Sequence, residues 1–157
     1  MATSESDFLA FVARSTAARV AAAETELERA RKDRGPDAVH DLRVAFRRLL
    51  SVLICFERTL GRARTKRLRK VAGTVLAAGR AVRDRDIALD LALEAGLDPD
   101  ADLYRTLERQ RTLRNKDLGR LADELESCDL AGLWNEIEGG IRGNQSSLGE
   151  TEGRIDN

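Results

Sequence analysis

The apolar positions of this chain recur every three or four residues from one end to the other, the spacing of one face of an α-helix rather than of a strand. A first helix is predicted over 6–33, capped by Ser4 or Ser6, with Leu9, Val12, Thr16, Val20, Ala23, Leu27 and Ala30 in phase. Gly35-Pro36-Asp37 breaks it, the glycine ending one helix and the proline opening the next. The second helix is predicted over 37–60, with Leu42, Ala45, Phe46, Leu49, Val52, Leu53 and Phe56 on one face, and Gly61 stops it. A third, over 62–83, presents Leu68, Val71, Ala72, Val75, Gly79 and Val82. The alternating charges of Arg83-Asp84-Arg85-Asp86 are expected to bend or break the chain, and 87–95 to form a short helix closed by Gly96 ahead of Asp98-Pro99. A further long helix over 100–126 aligns Leu103, Leu107, Leu118, Leu121 and Leu125, and a last one over 129–142 aligns Leu130, Leu133, Trp134, Ile137 and Ile141. No segment alternates with period two. The expected fold is all-α: an antiparallel bundle of about four long helices plus short ones, in one domain over 5–142. The tail over 143–157, rich in Gly, Ser, Asn and Glu, is expected to be disordered.

Composition narrows this picture little. A chain of 157 residues with 42% hydrophobic and 34% charged residues is long and apolar enough for one core. No run approaches the ~18 apolar residues of a membrane-spanning helix. The N-terminus places Glu5 and Asp7 where a secretion signal would be basic and then apolar, so an intracellular, cytoplasmic protein is expected. Cys55 lies in the apolar run Val52–Phe56 and is expected in the core, and Cys128 lies in a turn signal. Neither has metal-ligand spacing or a disulfide framework around it, and no cofactor is expected.

Charge changes the picture. The net charge is zero, yet residues 40–85 hold thirteen Lys and Arg against three acids, so this stretch carries +10 and the remainder −10. Such a block points to an anionic partner, while the acidic flanks weigh against indiscriminate DNA binding. On a helical wheel His40, Arg43 and Arg47 fall within ~60° of one another, opposite the face centred on Leu49, with Arg48 flanking them. Arg62, Lys66, Arg69 and Arg80 make a second stripe within ~60° on the next helix, with Gly73 and Ala77 at its intervening positions, Arg83 adjoining and Lys70 further round. Stacked cations repel unless an anion or a carboxylate neutralises them. Arginine suits phosphate because its planar fork donates paired hydrogen bonds and keeps its charge. Arg114 falls on the apolar side of its helix, where it faces either the same anion or an interior acid.

Plainer readings compete with this one. A basic helix face is often only solvated surface. His40, the one histidine, has no nucleophile or companion ligand nearby that would make it catalytic. Asp84 and Asp86 could form a carboxylate pair for a divalent cation, but local ion pairs with neighbouring arginines explain them more simply.

The run Val39-His40-Asp41-Leu42-Arg43-Val44-Ala45-Phe46-Arg47-Arg48 resembles the V-H-D-x-R-V-x-x-R-R signature of the CHAD family, the conserved histidine α-helical domain. Arg80-Ala81-Val82-Arg83-Asp84-Arg85-Asp86-Ile87 is similar to its second mark, R-x-V-R-D-x-D-V, with Ile87 in place of the final valine. The resemblance covers residues 5–142. It implies an all-α fold that binds inorganic polyphosphate through a basic surface, in proteins associated with polyphosphate granules and sometimes fused to triphosphate tunnel enzymes. By motif, His40, Arg43, Arg47, Arg48, Arg80 and Arg83 would contact the anion; Arg62, Lys66, Arg69, Lys70 and Arg114 are added from the wheel and the charge argument. The family also implies two pseudo-symmetric halves, of which this chain matches one, as a half-length member or a truncation. A homodimer with a two-fold axis would restore a two-sided basic channel.

The expected function is non-catalytic polyphosphate binding. Alternatives are a subunit or accessory domain of a polyphosphate- or triphosphate-processing enzyme, a nucleic-acid binder, or a bundle whose basic stripes meet an acidic protein. Nucleic acid is disfavoured because no aromatic side chains accompany the basic ones for base stacking.

Overall fold

The structure, a computed structural model, describes residues 5–95 and 101–152, with side chains from 6–95 and 104–141. It contains six helices, α1 (Glu5–Lys32), α2 (Pro36–Cys55), α3 (Glu57–Leu60), α4 (Arg62–Glu94), α5 (Ala101–Glu126) and α6 (Leu130–Glu152), and no strand among the described residues. The all-α expectation holds. Ser4, Gly96, Asp98, Pro99, the Leu103 side chain and residues 153–157 lie outside the described residues.

Consecutive helices pack on one another: α1 on α2, α2 on α4 and α4 on α5, while α6 returns to lie across α1 and α4. One core joins them. It contains Val12, Val20 and Leu27 of α1, Leu42, Phe46, Leu49 and Leu53 of α2, Leu68, Val75 and Val82 of α4, Leu121 and Leu125 of α5, and Trp134, Ile137 and Ile141 of α6. The buried Thr16 hydroxyl, in the α1 core stripe, donates to the Val12 carbonyl at 2.8 Å, so its burial leaves no donor unmet.

The breaks differ from the sequence reading in three places. α2 ends at Cys55; Phe56 closes it with φ −102° and ψ 20°, and the separate α3 follows. α3 in turn ends at Gly61, whose φ of 89° reverses the chain at a cost most side chains would not bear. α4 then runs through Arg83-Asp84-Arg85-Asp86 without a break, because that segment holds neither glycine nor proline and its charges find partners along and across the helix. α6 continues to Glu152 rather than stopping at 142, since no proline interrupts 143–152. Cys55 is exposed, not core. It sits two residues from the buried Leu53, about 200° round the helix, so the apolar run does not bury all its members.

The Arg31 guanidinium, near the end of α1, donates to the Leu125 carbonyl at 3.1 and 2.7 Å and to the Cys128 carbonyl at 3.0 Å. It thereby adds a donor to the Leu125 carbonyl, which otherwise accepts only a long bond from the Cys128 N–H, and ties α1 to the α5–α6 corner. No described helix is long and apolar enough to cross a membrane.

Candidate anion-binding groove

Burial of Leu42, Phe46, Leu49 and Leu53 fixes the rotation of α2. His40 and Arg47 are then exposed, and Arg43 is half-buried against α4. On α4, burial of Leu68, Ala72, Val75, Gly79 and Val82 turns Leu76, Arg83 and Ile87 towards the same side. His40, Arg43, Val44 and Arg47 on one wall and Leu76, Arg83 and Ile87 on the other enclose a groove of about 260 Å³. Both sequence motifs, some forty residues apart in the chain, therefore meet at one place.

Gly79 makes that meeting possible. A Cβ added there would lie 3.0 Å from Arg43 Cγ and 3.4 Å from its Cδ, so the arginine stem rests on bare helix backbone. Burial pushes the Arg43 guanidinium below its ordinary pKa; nearby Asp84 opposes this, and Arg80, Arg47 and Arg83 add to the depression. An arginine remains charged regardless. Arg43 Nη1 is buried and has no hydrogen-bond acceptor.

The other expected contacts are distributed differently. Arg80 is exposed beside the groove, its Nε 3.5 Å from Asp84 Oδ2. Arg62 and Arg69 lie on the same side of α4 but nearer its start, where Glu57 Oε1 is 3.4 Å from Arg62 Nε and 2.6 Å from Arg69 Nη1. Lys66 is exposed between them. Three residues depart from the expected surface. Arg48 faces α1 and lines a separate hollow with Arg19, Glu26 and Asp41, because one step from Arg47 is ~100° of rotation. Lys70 lines a cavity of about 440 Å³ towards α5 and α6, with Arg67, Glu124 and Glu136. Arg114 is held by the buried Asp86 across the α4–α5 interface, so it answers an interior acid and not the groove.

Asp84 and Asp86 do not converge either. The first pairs with Arg80 on the surface and the second with Arg114 inside, as two positions apart on a helix must diverge by ~160°. Among the described residues no group of three or more His, Cys, Asp or Glu side chains is placed to hold a metal ion. Sequence reasoning missed Gly79 as the seat of Arg43, having assigned it to the core face. It also missed Leu76 and Ile87 as groove walls; their spacing from Arg83, seven and four residues, was the available signal.

The family model for the CHAD domain matches residues 14–152. No curated protein and no solved structure matches the chain. With nearly the whole chain matched and both signatures facing one groove, this protein belongs to the CHAD domain family.

Proposed function

We propose that the protein binds inorganic polyphosphate, without chemical turnover, in the groove between α2 and α4. The observation that carries this reading is Arg43. It is half-buried, has an unsatisfied donor, and is surrounded by the charges of Arg47, Arg80 and Arg83, with Asp84 opposing them. A chain of phosphates supplies repeated anionic oxygens along such a groove, and each arginine can take two. The CHAD family is associated with polyphosphate- and triphosphate-related proteins, which fits the same chemistry. Binding rather than catalysis is supported by the divergence of Asp84 and Asp86, the two carboxylates of the second motif, which face opposite sides of α4 and cannot share a cation. Association with polyphosphate granules, and a homodimer whose second copy supplies the other half of a two-sided channel, are parts of the same proposal, the first resting on the family and the second on the single half-domain matched by its motifs.

The test is titration of the folded chain with long-chain polyphosphate at rising salt. Affinity is expected to fall steeply, as for any ligand held through phosphates. Arg43→Ala combined with Arg47→Ala is expected to weaken binding at least tenfold at low salt, since each charge-assisted contact contributes about 1.5–3 kcal/mol. Binding indifferent both to salt and to this double substitution would refute the proposal.

A further inference from the structure

Unbroken helix through Arg83 has a geometrical consequence. Arg62 and Arg80 stand about five whole turns apart, on one line along α4 and separated by ~27 Å. Arg69 and Arg83 stand just under four turns apart, ~21 Å along the helix and about 40° round from one another. The basic stripe is therefore one straight track with a cluster at each end. One cluster is the groove, with His40, Arg43, Arg47, Arg80 and Arg83. The other gathers Arg62, Lys66 and Arg69. Between them lie Gly73, where an added Cβ would meet nothing within 4 Å, and the exposed Ala77, with Leu76 along the α2 side of the track, so the line from Arg62 to Arg80 crosses only small residues.

Each cluster contains one acid. Asp84 lies 3.5 Å from Arg80 and also acts on Arg43. Glu57 lies 2.6 Å from Arg69 and 3.4 Å from Arg62. Asp84 is exposed where a phosphate oxygen would sit, whereas Glu57 Oε1 is shielded from solvent against Arg69, so a phosphate replaces it only as that carboxylate swings out. Lys66, by contrast, makes no ion pair among the described residues. We infer that Asp84 and Glu57 are resident counter-anions, one per cluster, and that a polyanion spanning the track displaces both while a short one displaces Asp84 alone. The inference rests on the proposed function of the groove and adds to it a basis for preferring long chains. A short anion goes to the groove because more cations converge there. A long one gains the second cluster only by outcompeting Glu57.

The experiment compares tripolyphosphate with long-chain polyphosphate by calorimetric titration at low salt, on the full chain and on Asp84→Asn, Glu57→Gln and Asp123→Asn. The last removes one exposed acid on α5 that belongs to neither cluster, as a charge control. Asp84→Asn is expected to tighten both ligands about three- to tenfold, the Coulomb effect of one charge a few ångströms away at a solvated surface. Glu57→Gln is expected to tighten the long chain alone. Asp123→Asn is expected to change neither. If the unsubstituted chain binds long-chain polyphosphate but Asp84→Asn and Glu57→Gln leave both affinities unchanged, or if Glu57→Gln tightens both ligands equally, the counter-anion inference is overturned and the groove assignment stands. If no form of the folded protein binds either ligand, the groove assignment falls and the inference with it.

Discussion

At the scale of single residues, Gly79 and Arg43 form one device. A glycine in the middle of a long helix costs roughly 0.5–1 kcal/mol relative to alanine. Here the sacrifice lets an arginine stem lie against the backbone of α4 and sets its guanidinium at the groove floor. In Gly79→Ala the gain in helix propensity and the displacement of Arg43 by a few tenths of an ångström should nearly cancel in stability. Thermal unfolding is expected to shift by less than about 1 kcal/mol, while polyphosphate affinity drops severalfold. Unchanged affinity would show that Arg43 does not need its seat. The two thiols give a separate residue-scale contrast. Burial raises the pKa of Cys128 to about 11, whereas Cys55 is exposed. The thiolate is the reactive form, so a maleimide at mildly alkaline pH should label Cys55 and spare Cys128 until the protein unfolds. Mass spectrometry of the labelled chain checks this directly.

At the scale of elements, a charge pair with a buried acid ties α4 to α5. Asp86 is 4% exposed and accepts a hydrogen bond from Arg114 Nε across the α4–α5 interface. Removing one partner of such a pair strands the other, at a cost of about 3–5 kcal/mol. Asp86→Ala should therefore lower the unfolding midpoint by around ten degrees, given roughly 2–4 °C per kcal/mol for a domain of this size. Replacing both Asp86 and Arg114 by leucine should recover most of the loss, which calorimetry would show. This pair also marks where sequence reading stops. The phases of α2 and α4 were legible from Leu42, Phe46, Leu49, Val75 and Val82, because burying those residues leaves little rotational freedom. The meeting of His40, Arg43 and Arg47 on one side followed from that phase. Partner choice did not. Whether Arg114 answers Asp86 or a ligand, and whether Arg48 turns to α1, depends on which helices become neighbours, and helix periodicity carries no such information. The continuity of α4 was hidden for a related reason. Alternating charges read as a break when seen alone, yet become helix-compatible once Arg114 and Asp117 of α5 stand opposite.

For the whole molecule, the net charge of zero conceals a division of labour. The basic track lies along α4 and the groove side of α2, while the excess acid lies elsewhere in the chain, so attraction for a polyanion is local and short in range. The order of packing is as local as the charge. α1 meets α2, α2 meets α4 and α4 meets α5, so most of the core can assemble between neighbours along the chain. The return of α5 and α6 onto α1, and of α6 onto α4, departs from this order, and Arg31 stands at the α1 seam with the Leu125 and Cys128 carbonyls of the α5–α6 corner. Contacts of high sequence separation form late because their loop entropy must be met first. The Arg31 clasp is thus expected to be absent from the rate-limiting barrier. In Arg31→Ala, refolding after denaturant dilution should keep its speed while unfolding quickens, and amide exchange should rise around the α5–α6 corner but not along the groove. The molecule would then have a latch that can loosen without disturbing the basic track.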